Sequence, residues 1–92
     1  MDIDTLKKTQ LTKRELASIL GVSRITVHKY FNGAKPNYLR VSRIDKTIAI
    51  LKELVNKQKL PLKSGFRSQD EKVRRAGNIE KIKEFIESHL ID

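Results

Sequence analysis

The chain has 92 residues, with 20 Lys and Arg against 11 Asp and Glu, no Cys, and a formal net charge of +9. That length holds one domain and excludes a second full one, and the missing Cys excludes a disulfide framework and a thiolate metal site. No run of about 18 apolar residues is present to span a bilayer. The opening MDIDTLKK is acidic and lacks the apolar segment of a secretory signal, so a cytoplasmic location is expected.

Helical signals follow one another along the chain. Residues 3–9 can hold a short first helix. Thr12-Lys13-Arg14-Glu15 is a capping box, with Leu11 before the cap and Leu16 at the fourth helical position as its hydrophobic staple. Gly21 closes that helix, because glycine tolerates the left-handed conformation found just past a helix end. Ser23 caps RITVHKYF, and Asn32-Gly33 ends it. A longer helix is expected over about 43–58, opened by a weaker box at Ser42–Asp45. It carries Ile44, Ile48, Leu51 and Val55 on one face, widened by Ile50 and Leu54.

Residues 59–67 read as a loop. Ser68–Glu71 is a further capping signal. Gly77-Asn78 predicts a helix break, with Asn78 capping a final helix whose stripe is Ile79, Ile82, Ile86 and Leu90 with Phe85 beside it. Period-two alternation is absent. The expected fold is therefore all-α: about four to five helices, with residues 1–67 as one functional region and residues 68–92 as a C-terminal packing or dimerisation segment.

Charge follows the same division. Residues 1–67 hold 15 basic and 5 acidic side chains, and residues 68–92 hold 5 basic and 6 acidic. A pI near 10.0 is the footprint of a polyanion binder. A solvated basic surface is the blander reading, and the arrangement of the front region weighs against it.

The stretch TKRELASILGVSRITVHKYFNG, residues 12–33, places two short helices on either side of Gly21-Val22-Ser23. So tight a joint forces a steep crossing, as in a helix-turn-helix. Ala17 is the small residue that lets the helices approach. Val27 packs back across the turn, and Leu16, Leu20, Val22, Tyr30 and Phe31 complete a small core. The opposite face of the second helix then presents Arg24, Ile25, His28 and Lys29. Ser23 and Thr26 sit at its N-terminus, where backbone N–H groups favour a phosphate.

The Ala-Gly-Val spacing and GVS-x-x-TV resemble the helix-turn-helix of the Cro and phage-repressor group and of the lac-repressor head. Lys13 stands where the Cro group often has Gln, and Tyr30 where an aliphatic residue is usual. The resemblance implies that Arg24, Ile25, His28 and Lys29 read bases in the major groove, and that Thr12, Lys13, Asn32 and Lys35 join Ser23 and Thr26 on phosphates. Arg40, Arg43 and Lys46 lie near the start of the 43–58 helix, where positive charge opposes the macrodipole, so backbone contacts are expected of them too. Tyr38 suits either a phosphate or a cover for the core.

On this reading the chain is a sequence-specific, nucleoid-associated duplex-DNA binder that regulates transcription. Repression by a homodimer on a palindromic operator is the expected mode, with Ile79, Ile82, Phe85, Ile86 and Leu90 as the dimer interface. The alternatives are an accessory factor for recombination, replication or partition, or a basic module for an acidic protein or RNA. His28 and His89 lie far apart without a ligand pattern around them, and His89 suits a helix C-terminus. Nothing in the residues calls for a metal, a cofactor, a small-molecule effector or an enzymatic role.

Overall fold

A computed structural model describes residues 2–63 and 65–90. The described chain forms five helices: α1 (Ile3–Lys8), α2 (Lys13–Leu20), α3 (Arg24–Phe31), α4 (Val41–Asn56) and α5 (Gln69–Leu90). No strand occurs among the described residues.

Local chemistry explains the short helices. The Asp2 carboxylate caps α1 by accepting from Thr5 N at 3.0 Å and from its hydroxyl at 2.6 Å. The Thr12 capping box is complete: Glu15 N donates to the Thr12 hydroxyl at 3.1 Å, and Thr12 N donates to Glu15 Oε1 at 2.9 Å. Leu11 and Leu16, the staple pair, are both buried. Gly21 takes φ 73° and passes the chain into Ser23, whose hydroxyl accepts from Thr26 N at 3.1 Å to start α3.

Two expected boundaries differ. Ser42 does not open the 43–58 helix, because α4 begins at Val41 and its N-cap is Arg40, which makes no side-chain cap bond. The turn before it is organised by Asn37, whose side-chain oxygen accepts from Leu39 N at 3.0 Å and Arg40 N at 3.2 Å. That Asx turn starts the coil earlier than the Ser42 box predicts. The second difference is at Gly77-Asn78, where no break occurs and α5 runs straight through. A mid-helix glycine costs only about 1 kcal/mol. Buried Arg75 and Ile79 anchor the helix on both sides of it, and that tertiary hold outweighs the local penalty. Ser68 caps α5 as expected, accepting from Glu71 N at 3.2 Å. Glu71 reaches back to Arg67 N instead of closing a box on Ser68.

The core lies where α2 meets α3, α4 and α5, with α1 laid against α4. Leu6, Leu16, Leu20, Val27, Ile44, Leu51 and Ile86 are essentially without solvent contact. Tyr30 is buried at the place usually held by an aliphatic residue, while Val22 and Phe31 pack on the core's margin. The expected α4 face is confirmed, with Ile44, Ile48 and Leu51 buried and Ile50, Leu54 and Val55 half-buried.

The stripe on the last helix is divided. Ile79 and Ile86 are buried inside this chain's own core, which corrects the expectation that they are available to a partner. Ile82 and Leu90 are half-buried, and Phe85 remains 45% exposed. The physical reason is the smallness of α1 to α4: a two-turn α2 and α3 cannot cover both faces of α4, so α5 closes the remainder.

Candidate nucleic-acid interface

α3 is amphipathic in a specific sense. Val27 and Tyr30 are locked inward, and Arg24, Ile25, His28 and Lys29 all face solvent. Ile25 is 67% exposed, which leaves its aliphatic side chain accessible on the same face as the basic groups. At the N-terminus the hydroxyls of Ser23 and Thr26 bond each other at 2.8 Å, on the exposed side of the cap.

Three of the expected contact residues are brought together. The His28 ring stands between Lys13 and Asn32, with Lys13 Nζ 2.9 Å from Nδ1 and Asn32 Nδ2 3.1 Å from Nε2. Both neighbours are N–H donors, and a neutral imidazole accepts at one nitrogen only. The two contacts therefore compete, and Asn32 has the His28 carbonyl as a second acceptor at 3.1 Å. Lys13 Nζ also lies 5.6 Å from the centre of the Phe31 ring, a cation–π contact. The start of α2 is thus tied to the second half of α3 across the face that carries the basic groups.

The remaining expected contacts surround this face less tightly. Thr12 is exposed but holds its cap, and Lys35, Arg40, Arg43 and Lys46 are all exposed. The Arg43 guanidinium sits over the helix-turn-helix joint, 3.9 Å from where a Cβ on Gly21 would be. Tyr38 is 84% exposed, so it does not cover the core. His89 lies near the end of α5, where Nδ1–H donates to the Phe85 carbonyl at 2.8 Å.

An ion pair that sequence reading does not anticipate fixes α5 beside this face. Arg75 Nε donates to Glu15 Oε2 at 2.7 Å and Nη2 donates to Oε1 at 2.9 Å, a bidentate pair between residues sixty positions apart. The Phe66 ring lies 4.7 Å from the guanidinium carbon. Burial pushes the Glu15 carboxyl upward. The hydrogen bond from Arg75, the Thr12 amide, the Arg75 charge and the Thr12 hydroxyl outweigh it and hold Glu15 below its ordinary 4.5. Arg75 lies one turn before Ile79 on the buried face of α5, a spacing that separates it from exposed Arg74 but that a helix break at Gly77-Asn78 would erase.

With α5 held there, α2 forms the floor of an open groove of about 950 Å³ between α3 and α5. Arg14, Arg24, Ile25 and His28 line it from the helix-turn-helix, and Lys72 from α5. Among the described residues no group of three or more His, Asp or Glu side chains is placed to hold a metal ion. No helix among them is long and apolar enough to cross a membrane.

A family model described as helix-turn-helix matches residues 5–50, half of the chain, from within α1 to within α4. No curated protein and no solved structure matches the chain.

Proposed function

The chain belongs to the Cro/phage-repressor type of helix-turn-helix proteins, a family of DNA-binding transcriptional regulators, and from that premise we propose that it is a sequence-specific repressor acting as a homodimer. One observation carries the reading: α3 buries Val27 and Tyr30 in the core while its solvent-facing side carries Arg24, Ile25, His28 and Lys29. An α-helix fits the major groove of B-DNA, where Arg24 matches guanine O6 and N7, and Ile25 matches a thymine methyl. Lys29 lies one turn beyond Ile25 and takes a base edge or a phosphate. Lys13, Asn32 and His28 exchange their mutual contacts for DNA contacts. Thr12, Ser23, Thr26, Lys35, Arg40 and Arg43 hold the flanking phosphates.

The dimer reading rests on two features. A single core of this size is marginal without added buried area. Of the unburied remainder of the last helix's stripe, Phe85 and Ile82 form an apolar strip beside Leu54 of α4, and Leu90 is half-buried two turns beyond Ile82. Pairing two copies sets two α3 helices about 34 Å apart on one face of the duplex, and an operator overlapping a promoter is then blocked by occupation. The protein acts wherever that DNA resides, which for a bacterial or phage regulator is the nucleoid.

Selection of bound fragments from random duplex DNA tests this directly. Enrichment of a palindromic site is expected, and a bound pool without any shared sequence overturns the reading. Within the selected site, Arg24→Ala is expected to remove about 1–3 kcal/mol of discrimination at one base pair while leaving non-specific affinity in place. Equal loss on all sequences assigns Arg24 to phosphates instead.

A further inference from the structure

We propose that α5 forms a second wall of the DNA surface, with Lys72 contacting the phosphates of the strand that crosses α2. This rests on the duplex-binding reading above but extends it to the segment whose charge balance made it the neutral back of the molecule.

The argument begins with docking geometry. When the second helix of a helix-turn-helix enters the major groove, the first helix crosses the sugar–phosphate backbone. The backbone strand beside α3 therefore runs over the exposed side of α2. In this fold that side is the floor of the groove between α3 and α5. The strand then has α3 on one flank and α5 on the other.

Charge agrees with a phosphate occupant. Lys13 and Arg14 of α2 and Arg24 of α3 line the groove, and Lys72 faces them from α5. Glu15 is neutralised by its bidentate pair with Arg75, which leaves Glu80 as the one lining carboxylate outside that pair. Glu80 lies eight residues beyond Lys72, about 12 Å along the helix axis.

Position on the helix agrees as well. Lys72 precedes Arg75 and Ala76 by one turn and so shares their face, and Arg75 is pinned against α2. Lys72 is the fourth residue of α5 and is exposed. A cation there opposes the helix dipole, so its placement does nothing for the stability of the free protein. The groove is too open to need a side chain for filling, and Ala76 beside Lys72 keeps it accessible.

The test measures salt dependence of binding by the full-length chain to its selected site and to a random-sequence duplex. Lys72→Ala is compared with Arg74→Ala. Arg74 is exposed on the same helix and carries the same charge, but it lies about 200° round the helix from Lys72 and lines neither the groove nor the apolar strip by Leu54. Lys72→Ala is expected to weaken both duplexes about fivefold per bound protomer near 0.1 M salt and to lower the salt slope by about 0.9 per protomer, about 1.8 for a dimer. Lys72→Arg is expected to retain the wild-type slope, and Arg74→Ala to change affinity less than about twofold, because its charge points away from the duplex and is screened. If Lys72→Ala and Arg74→Ala behave alike while the wild type binds DNA, the α5 contact is refuted and the helix-turn-helix reading stands. A wild-type chain that binds neither duplex overturns both.

Discussion

α3 and α5 flank the same groove, yet they are held by different kinds of force. α3 is oriented by signals within a few residues of itself: the Ser23 cap, the φ of 73° at Gly21, and Val27 and Tyr30 turned onto α2. Near that groove α5 is tied by a contact that crosses most of the chain, the Arg75–Glu15 pair with Phe66 stacked over it. A locally encoded unit loses little when one signal is removed, because the others persist. The first turns of α5, whose polar hold is one largely buried charge pair beside Ile79, lose much, since removal of one partner leaves the other charge desolvated.

The largest test of that contrast is Arg75→Ala, expected to cost about 3 kcal/mol in denaturant unfolding. A cost under about 1 kcal/mol, the level of an exposed ion pair, shows that α5 is held by its apolar residues alone. Acid gives the next effect. Because Glu15 titrates below 4.5 in the folded chain, its pair contributes fully above that value and is lost as pH falls through the lowered one. The wild type is therefore expected to lose stability more steeply than Glu15→Gln below about pH 4.5, read from denaturation midpoints across an acid series. Parallel curves separate Glu15 from the acid response.

Ser23→Ala comes lower, at about 1 kcal/mol for a lost N-cap, with α3 still in place by far-ultraviolet circular dichroism. The smallest effect has the opposite sign. Gly77 lies mid-helix in α5, and a Cβ there meets nothing within 4 Å. Gly77→Ala should stabilise the chain by about 0.5–1 kcal/mol. Destabilisation instead restores a helix break at Gly77-Asn78.

The front of the molecule was legible because its determinants are short-range. Thr12 and Glu15 are three residues apart, as are Ser23 and Thr26, and each pair forms the cap its spacing predicts. The outward set Arg24, Ile25, His28 and Lys29 follows from the turn and one buried valine. The errors fall where a local signal met a stronger neighbour. The Ser42 box yielded to the Asn37 turn, and the Gly77 break yielded to anchors on either side. Ile79 and Ile86 went to the chain's own core because α4 needed covering. The Lys13–His28–Asn32 cluster is hidden for another reason: in the sequence each residue reads as a separate DNA contact, and only side-chain placement joins them.

Helix type, the helix-turn-helix and the outward-facing set of α3 are properties of the sequence by itself, since caps, glycine turns and helical periodicity act over three or four residues. The place of α5 belongs to the tertiary structure. Its charges sum to near neutrality, so composition assigns it to the back. The bidentate reach of Arg75 to Glu15 brings its first turns, with Lys72, against α2 and across the groove from α3. A net charge counts side chains wherever they point, whereas a phosphate meets only those the fold turns toward it.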